Sequence, residues 1–377
     1  MENFTNKISR LELENFTCFA KAEMDFSSGI NVFIGENGTG KTHILKVLYA
    51  TLSNPYDSYP LLSERYHEKF DEVFKTTISH LLRKKTLDGI TLGYFSIRKS
   101  NKNFRFNFGL TANKNDEKDH TLYDFLKFDY KRGDIDPSEI DLFGEYSSLK
   151  ELNSACLFIP CAEMLTFFDG FTDANKQSKN AFDETRDLAN KLLDKPMKNE
   201  DLEEAQILVK EFESEVGIEV YKKDGQFYLK FKDGLEVEAP LAAEGLKKLA
   251  QMIYLIQNGS LNKDTILFWD EPETNLNPKY IKIVAKFLQV LAKNGVQIFV
   301  ATHDYLLTYL LSLSAEYPKS ETPPMRFFSL SKGENGTDIE FADTMNGFKN
   351  NSILDEYAAY SDLMLVTAME SLNEISQ

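Results

Sequence analysis

Apolar and polar positions alternate at the start of the chain. Ile8–Asn15 reads ISRLELEN, with Ile8, Leu11 and Leu13 apolar, and predicts a strand. Ala22–Phe26 predicts a second strand, Ser27-Ser28-Gly29 a turn, and Asn31–Ile34 a third, fully apolar strand. After residues 35–42 the period changes. Ile44, Leu45, Leu48 and Leu52 fall on one helical face.

Residues 61–85 keep a helical pattern that ends in Arg83-Lys84-Lys85. Residues 90–111 predict a hairpin around Asn101-Lys102-Asn103, and residues 112–150, polar and acidic, predict a loop with short helices. Leu157-Phe158-Ile159-Pro160 returns to a buried strand. Residues 174–215 are charged and mostly helical, broken at Lys195-Pro196, and are followed by a three-stranded meander turning at Asp224-Gly225 and Asp233-Gly234. From Pro240 onward helix and strand alternate, the mark of an α/β fold with largely parallel strands. An amphipathic helix from Ser352 is expected to pack on the core. The predicted core is residues 1–54 and 238–377 with a strand near 155–165. Residues 55–154, with the basic hairpin, and 166–237, helical plus meander, form two accessory insertions.

Composition narrows the function classes. Of 377 residues, 42% are hydrophobic and 29 are Phe, which supplies a core and argues against disorder. The net charge of −16 repels nucleic acid as a whole, so any such contact needs a local basic patch. Cys18, Cys156 and Cys161 form no CxxC, and no HExxH occurs, which argues against zinc and for buried thiols in a reducing compartment. The N-terminus carries no signal peptide, and the apolar run Leu306–Leu313 is too short to span a bilayer, so a cytoplasmic protein with no membrane contact is expected.

Gly35-Glu36-Asn37-Gly38-Thr39-Gly40-Lys41-Thr42 matches GxxxxGK[ST] between a strand and a helix. The glycines let backbone N–H groups wrap phosphates, and the helix start adds positive potential. Lys41 is expected to reach the β- and γ-phosphates of ATP, and Thr42 to place its hydroxyl on Mg²⁺. Thr265–Glu273, TILFWDEPE, is an apolar strand ending in acids. Asp270 suits Mg²⁺ coordination, and Glu271 suits polarising the attacking water. Gln297–Asp304, QIFVATHD, ends a further apolar strand in His303, where a γ-phosphate sensor fits.

These three segments, in this order and spacing, resemble ABC-type ATPases of the SMC, RecF and OLD-like group. The resemblance covers roughly residues 1–52, 155–165 and 238–304. It implies an ABC-type P-loop ATPase head with Glu271 and His303 catalytic, His303 being the switch histidine, and Asn275-Leu276-Asn277-Pro278 as the D-loop. The segment Leu157–Met164 is similar to that around the family's Q-loop, with Glu163 open to either a site role or a structural one. The family's signature motif corresponds to Leu241–Lys248, LAAEGLKK. Gly245 stands at the ATP-binding position, and Ala243 replaces the usual serine, which implies slower turnover.

The resemblance further implies two copies closing on ATP. No long arm or zinc hook fits between Lys41 and Gly245, and the 74 residues after His303 carry no nuclease pattern, so an effector is expected on another chain. Short relatives of this kind resemble ATPases of bacterial anti-phage systems such as Septu or PARIS, where the ATPase senses invasion and controls that effector. A RecF-like DNA-binding repair ATPase and a nucleotide-gated scaffold with negligible hydrolysis are the alternatives. The accessory insertions are the expected effector surface. Arg98, Lys99, Lys102 and Arg105, interleaved with Phe95, Phe104 and Phe106, suit nucleic-acid contact. The same pattern fits a hairpin with one core face and one solvated basic face, which the acidic charge favours.

Overall fold

The computed structural model describes residues 6–53, 62–83, 91–100, 102–112, 122–131, 152–166, 183–194 and 202–375. Its centre is a six-stranded sheet. The strands are β3 (Ile30–Gly35), β7 (Cys156–Ile159), β11 (Ile266–Asp270), β12 (Gln297–Thr302), β13 (Met325–Gly333) and β14 (Gly336–Ala342), in the order β14-β13-β3-β12-β11-β7. All neighbours run parallel except the β13–β14 hairpin. Both faces are covered, which is why β3 and β12 read as unbroken buried runs and not as alternation.

Helix α1 (Lys41–Leu52) covers one face, packed over Phe33, Phe268, Phe299 and Phe328. These rings form a row across four strands, with Phe33–Phe328 stacked at 4.9 Å and Phe268–Phe299 at 5.3 Å between centroids. The opposite face carries α3 (Asp183–Leu193), α4 (Leu202–Val216), α5 (Glu244–Gln257), α6 (Pro278–Lys293) and α7 (Tyr305–Glu316) against Val32, Leu267, Trp269 and Val300.

A second sheet crosses the boundary expected near residue 54. β1 (Ile8–Phe16) and β2 (Phe19–Asp25) join β4 (Thr91–Lys99), β5 (Lys102–Ala112) and β6 (Leu122–Lys131) in the order β2-β1-β4-β5-β6. The physical reason is apolar cover: Leu11, Leu13, Phe95 and Ile97 bury together with α1 and α2 (Leu62–Phe74) in one core. The helical pattern expected through residue 85 stops at Phe74, and a single 3-10 turn over Ile78–Leu81 follows. Lys84 and Lys85 lie outside the described residues.

Strand β6 corrects the loop expected over residues 112–150. It pairs with β5 from Asn103↔Lys131 to Ala112↔Leu122, so its LYDFLKFDYK alternation outweighs its polarity. The rest of that stretch lies outside the described residues. The meander forms as expected: β8 (Ile218–Lys223), β9 (Gln226–Phe231) and β10 (Glu236–Glu238) make a three-stranded antiparallel sheet, with positive φ at Asp224, Gly225 and Gly234. The final helix α8 (Ser352–Ile375) does not pack on the core along its length. Ile353 and Leu354 are half-buried, and every position from Asp355 to Met369 is exposed.

Candidate functional site

In an open α/β sheet, ligands gather outside the carboxyl ends of the parallel strands. Here β3, β11, β12 and β7 deliver Gly35, Asp270, Thr302 and Ile159 to one edge, and the candidate residues follow directly.

The phosphate loop spans Gly35 to Thr42, with Glu36, Asn37 and Gly38 exposed. Gly40 has φ +93°, and a Cβ there would lie 2.4 Å from Cys18 Sγ and 2.7 Å from the Phe19 ring. The β1–β2 turn thus presses on the loop from behind, and only glycine meets both demands. Thr39 O accepts bonds from Cys18 Sγ (3.4 Å) and Thr337 Oγ1 (3.0 Å), which anchors the loop to β14 as well. Lys41 is buried, and its ammonium donates to Gly35 O (2.6 Å) and Glu36 O (2.9 Å). Burial pushes its pKa down, opposed by the charges of Glu271 and Asp270.

Thr42 Oγ1 lies 3.1 and 3.0 Å from the two carboxylate oxygens of Asp270, so residues 228 positions apart meet at one point. Burial pushes the Asp270 carboxyl above its ordinary range. The Thr42 bond lowers it, and the neighbouring Glu271 adds to the rise. A hydroxyl and a carboxylate side by side are hard oxygen donors of the kind Mg²⁺ takes. Among the described residues no three His, Cys, Asp or Glu side chains gather to cage a metal.

Glu271 turns the chain out of β11 with φ +47°, a left-handed conformation uncommon for a residue with a side chain. Its N–H donates to Ala301 O (2.8 Å). Its carboxylate lies 3.3 Å from His303 Nδ1 and accepts from Thr274 Oγ1 (3.2 Å) and Cys161 Sγ (3.6 Å). Glu273, buried beneath, accepts from Thr302 Oγ1 (2.6 Å) and from the His303 N–H (3.3 Å). It therefore sets the exit of β12 and the placement of His303. Asp304 then caps α7 by accepting from the Leu307 N–H (2.6 Å).

Several residues that the sequence reading missed hold this edge together. Lys248 is buried, and its ammonium donates to the carbonyls of Glu271 and Thr274, each at 3.1 Å. Burial pushes its pKa down. Lys247, also buried, pairs with Glu163 at 3.2 Å and Glu244 at 2.5 Å and donates to Thr166 Oγ1 at 2.6 Å. Glu163 is therefore bound to Lys247 of α5 and to Thr166, contacts that fit the structural one of its two readings. The one available signal was the pair of lysines one helical turn inside α5, a helix with a buried face.

Gly245, expected at an ATP contact, is buried. A Cβ there would meet Leu276 Cδ2 at 2.8 Å and Asn275 O at 2.9 Å, so its bareness lets α5 approach the segment after β11. The exposed residues at that helix start are Ala243 and Glu244, and Asn275 and Asn277 are exposed beside them.

The basic hairpin separates into unlike positions. Lys99 is buried and donates to Leu152 O (3.2 Å) and Asn153 O (3.1 Å), which removes it from any ligand. The Arg105 guanidinium lies over the Tyr94 ring at 3.8 Å, Lys102 is half-buried, and Arg98 is exposed. Phe95, Phe104 and Phe106 are all in the core, with Phe95 and Phe106 stacked at 4.8 Å, so none presents a ring for a base. This is the hairpin with one core face.

The family described as "AAA domain, putative AbiEii toxin, Type IV TA system" matches residues 30–308, from β3 into α7, and the chain belongs to it. DNA replication and repair protein RecF of Streptococcus suis is 45% identical over 42 residues, 11% of this chain and 12% of RecF. RecF of Phocaeicola vulgatus is 36% identical over 62 residues, 15% and 17% of the two chains. The matches thus span under a fifth of these relatives' length. An SMC head bound to the C-winged helix domain of ScpA superposes with a TM-score of 0.50 at 12% identity, covering 91% of this chain and 99% of that one. The SMC head from Thermotoga maritima gives 0.44 at 11% identity, covering 89% and 98%. The fold is that of an ABC-type P-loop ATPase head, and the chain is similar to SMC heads in fold and to RecF over short segments.

Proposed function

We propose that this chain is an ATP-hydrolysing dimeric switch that senses invasion in a bacterial anti-phage defence system and governs a separate effector protein. One observation carries the hydrolytic part: the Thr42–Asp270 contact and the Glu271–His303 contact lie at one sheet edge, assembled from β3, β11 and β12.

In this reading the loop's N–H groups and Lys41 would cradle the phosphates, and Thr42 and Asp270 would hold Mg²⁺, which when bound would supply positive charge to the phosphates. Glu271 polarises the attacking water. Thr274 and Cys161 aim its carboxylate, and His303 stands where the γ-phosphate is read. Positioning and electrostatics supply the acceleration. The exposed Ala243, Glu244, Asn275 and Asn277 face outward beside the site, a surface suited to a second copy. The defence setting rests on the resemblance to ATPases of anti-phage systems, and the protein partner is supported by the ScpA-bound SMC head.

Glu271→Gln tests the reading. It keeps ATP affinity and lowers steady-state hydrolysis about 10²- to 10⁴-fold, the contribution of a positioned general base. Lys41→Ala instead loses ATP affinity in a fluorescent-nucleotide titration. Hydrolysis by Glu271→Gln at the parent rate removes Glu271 from its assigned role.

A further inference from the structure

The last helix is where the fold leaves its apolar surface open. Among the described residues, α8 is tied down at its start: Ser329 Oγ donates to Asn350 O (2.8 Å), the Leu354 N–H donates to Asn351 Oδ1 (3.3 Å), and Tyr357 stacks on Tyr305 at 4.4 Å. Beyond Tyr357 the helix exposes Tyr360, Met364, Leu365 and Met369 by more than half on one side, and Leu363 and Val366 by more than half on the other. Tyr309 of α7, stacked on Tyr305 at 5.6 Å, is 44% exposed and extends the patch. Scattered exposed apolar residues are ordinary, but a contiguous run of this size on one helix marks an interaction surface.

At 100° per residue, Tyr357, Tyr360, Met364, Leu365, Ala368 and Met369 share one half of the helix. Glu356 and Asp362 border that half on its two sides. Between Ser352 and Ile375 there are five acidic residues and no Lys, Arg or His. This charge pattern selects the occupant. A second α8, laid parallel or antiparallel, sets acid-bordered edges against acid-bordered edges with no base to answer them, and like charges across a helical seam oppose pairing. An anionic membrane surface is repelled in the same way.

We propose that α8, with the adjoining face of α7, is the docking element for a separate protein that presents an apolar groove rimmed by Lys and Arg, a helix-in-groove mode of recognition. The surface is joined to the candidate site, because α7 begins two residues after His303 and its first residue, Tyr305, is the one on which Tyr357 stacks. A shift of His303 therefore reaches the docking helix through one cap and one ring pair. This deepens the switch proposed above by naming its partner surface, and the coupling to nucleotide rests on that reading while the docking does not.

The test places a photo-crosslinking amino acid at Leu365 or, as the opposite-face control, at Val366 of the full chain in cells of the native host. The expected result is one joined protein, other than this chain, at position 365 and not at 366, with the joined segment apolar and bordered by Lys or Arg. With that protein purified, Met364→Glu/Leu365→Glu and Glu356→Lys/Asp362→Lys each weaken binding at least tenfold, and added NaCl weakens the parent complex. These side chains are exposed, so far-UV circular dichroism and the melting midpoint of the variants stay at parent values, which separates lost docking from lost folding. The same joining in a Lys41→Ala chain supports docking even if the nucleotide switch fails. Joining to a second copy, to lipid, to a segment without basic borders, or to nothing overturns the proposal.

Discussion

Asp270, Glu271 and Glu273 crowd three carboxyl groups into four positions, and Asp270 and Glu273 are pushed up by burial. A carboxyl whose folded pKa lies above its unfolded one contributes stability at low pH that is lost as pH rises through the folded value. At pH 7 the Asp270 charge is therefore a cost to the nucleotide-free fold, retained for what it holds. Asp270→Asn keeps an acceptor for Thr42 and removes the charge. We expect its melting midpoint at pH 7 to rise by about 2 °C, and the difference to vanish below pH ~4, where Asp270 of the parent is protonated in the folded and the unfolded state alike. A midpoint at pH 7 equal to or below the parent's, measured calorimetrically, contradicts this account.

At the scale of elements, the start of α5 carries two positions, one residue apart, with opposite expected responses. Ala243 is the N-cap, at φ −63° and ψ 139°, and makes no side-chain capping bond. Ala243→Ser supplies that bond and stabilises by about 0.5–2 kcal/mol. Gly245→Ala drives a Cβ into Leu276 and Asn275 O and destabilises by about 1–3 kcal/mol. Urea unfolding of the two variants checks both signs. A neutral Gly245→Ala means that α5 and the segment after β11 are not held at this spacing. The same contact, with Lys248 on the Glu271 and Thr274 carbonyls, ties the helix to the candidate base.

The whole molecule places its candidate site on one open edge, with the β1–β2 turn behind the phosphate loop and α8 reaching outward. In the proposed function, the switch changes state by closing two copies on nucleotide. With Glu271→Gln, ATP and Mg²⁺, light scattering is expected to give twice the 43.2 kDa of one chain, falling back when ATP is omitted. A mass unaffected by nucleotide removes the dimer from the proposal. The charge of −16 bears on partners at the same scale. Duplex binding depends on neutralising phosphates with Lys and Arg, and the hairpin's Lys99 is committed to backbone carbonyls.

What the sequence determined by itself was local chemistry at strand ends. GENGTGKT after an apolar strand, Asp270 and Glu271 after another, and His303 after a third each require only a strand, a stop and the right side chain, and a strand's exit is written within a few residues. The strand–helix alternation likewise needed only short-range periodicity. What the tertiary structure alone decided was which partner each face meets. Thr42 reaches Asp270 across 228 positions, Lys247 pairs with Glu163, Lys99 sinks beneath residues 152–153, and β6 is a strand because β5 lies beside it. α8 shows the reason most plainly. An amphipathic pattern states that a face seeks cover, but the cover comes from residues distant in the chain or from another molecule, and no local pattern encodes which.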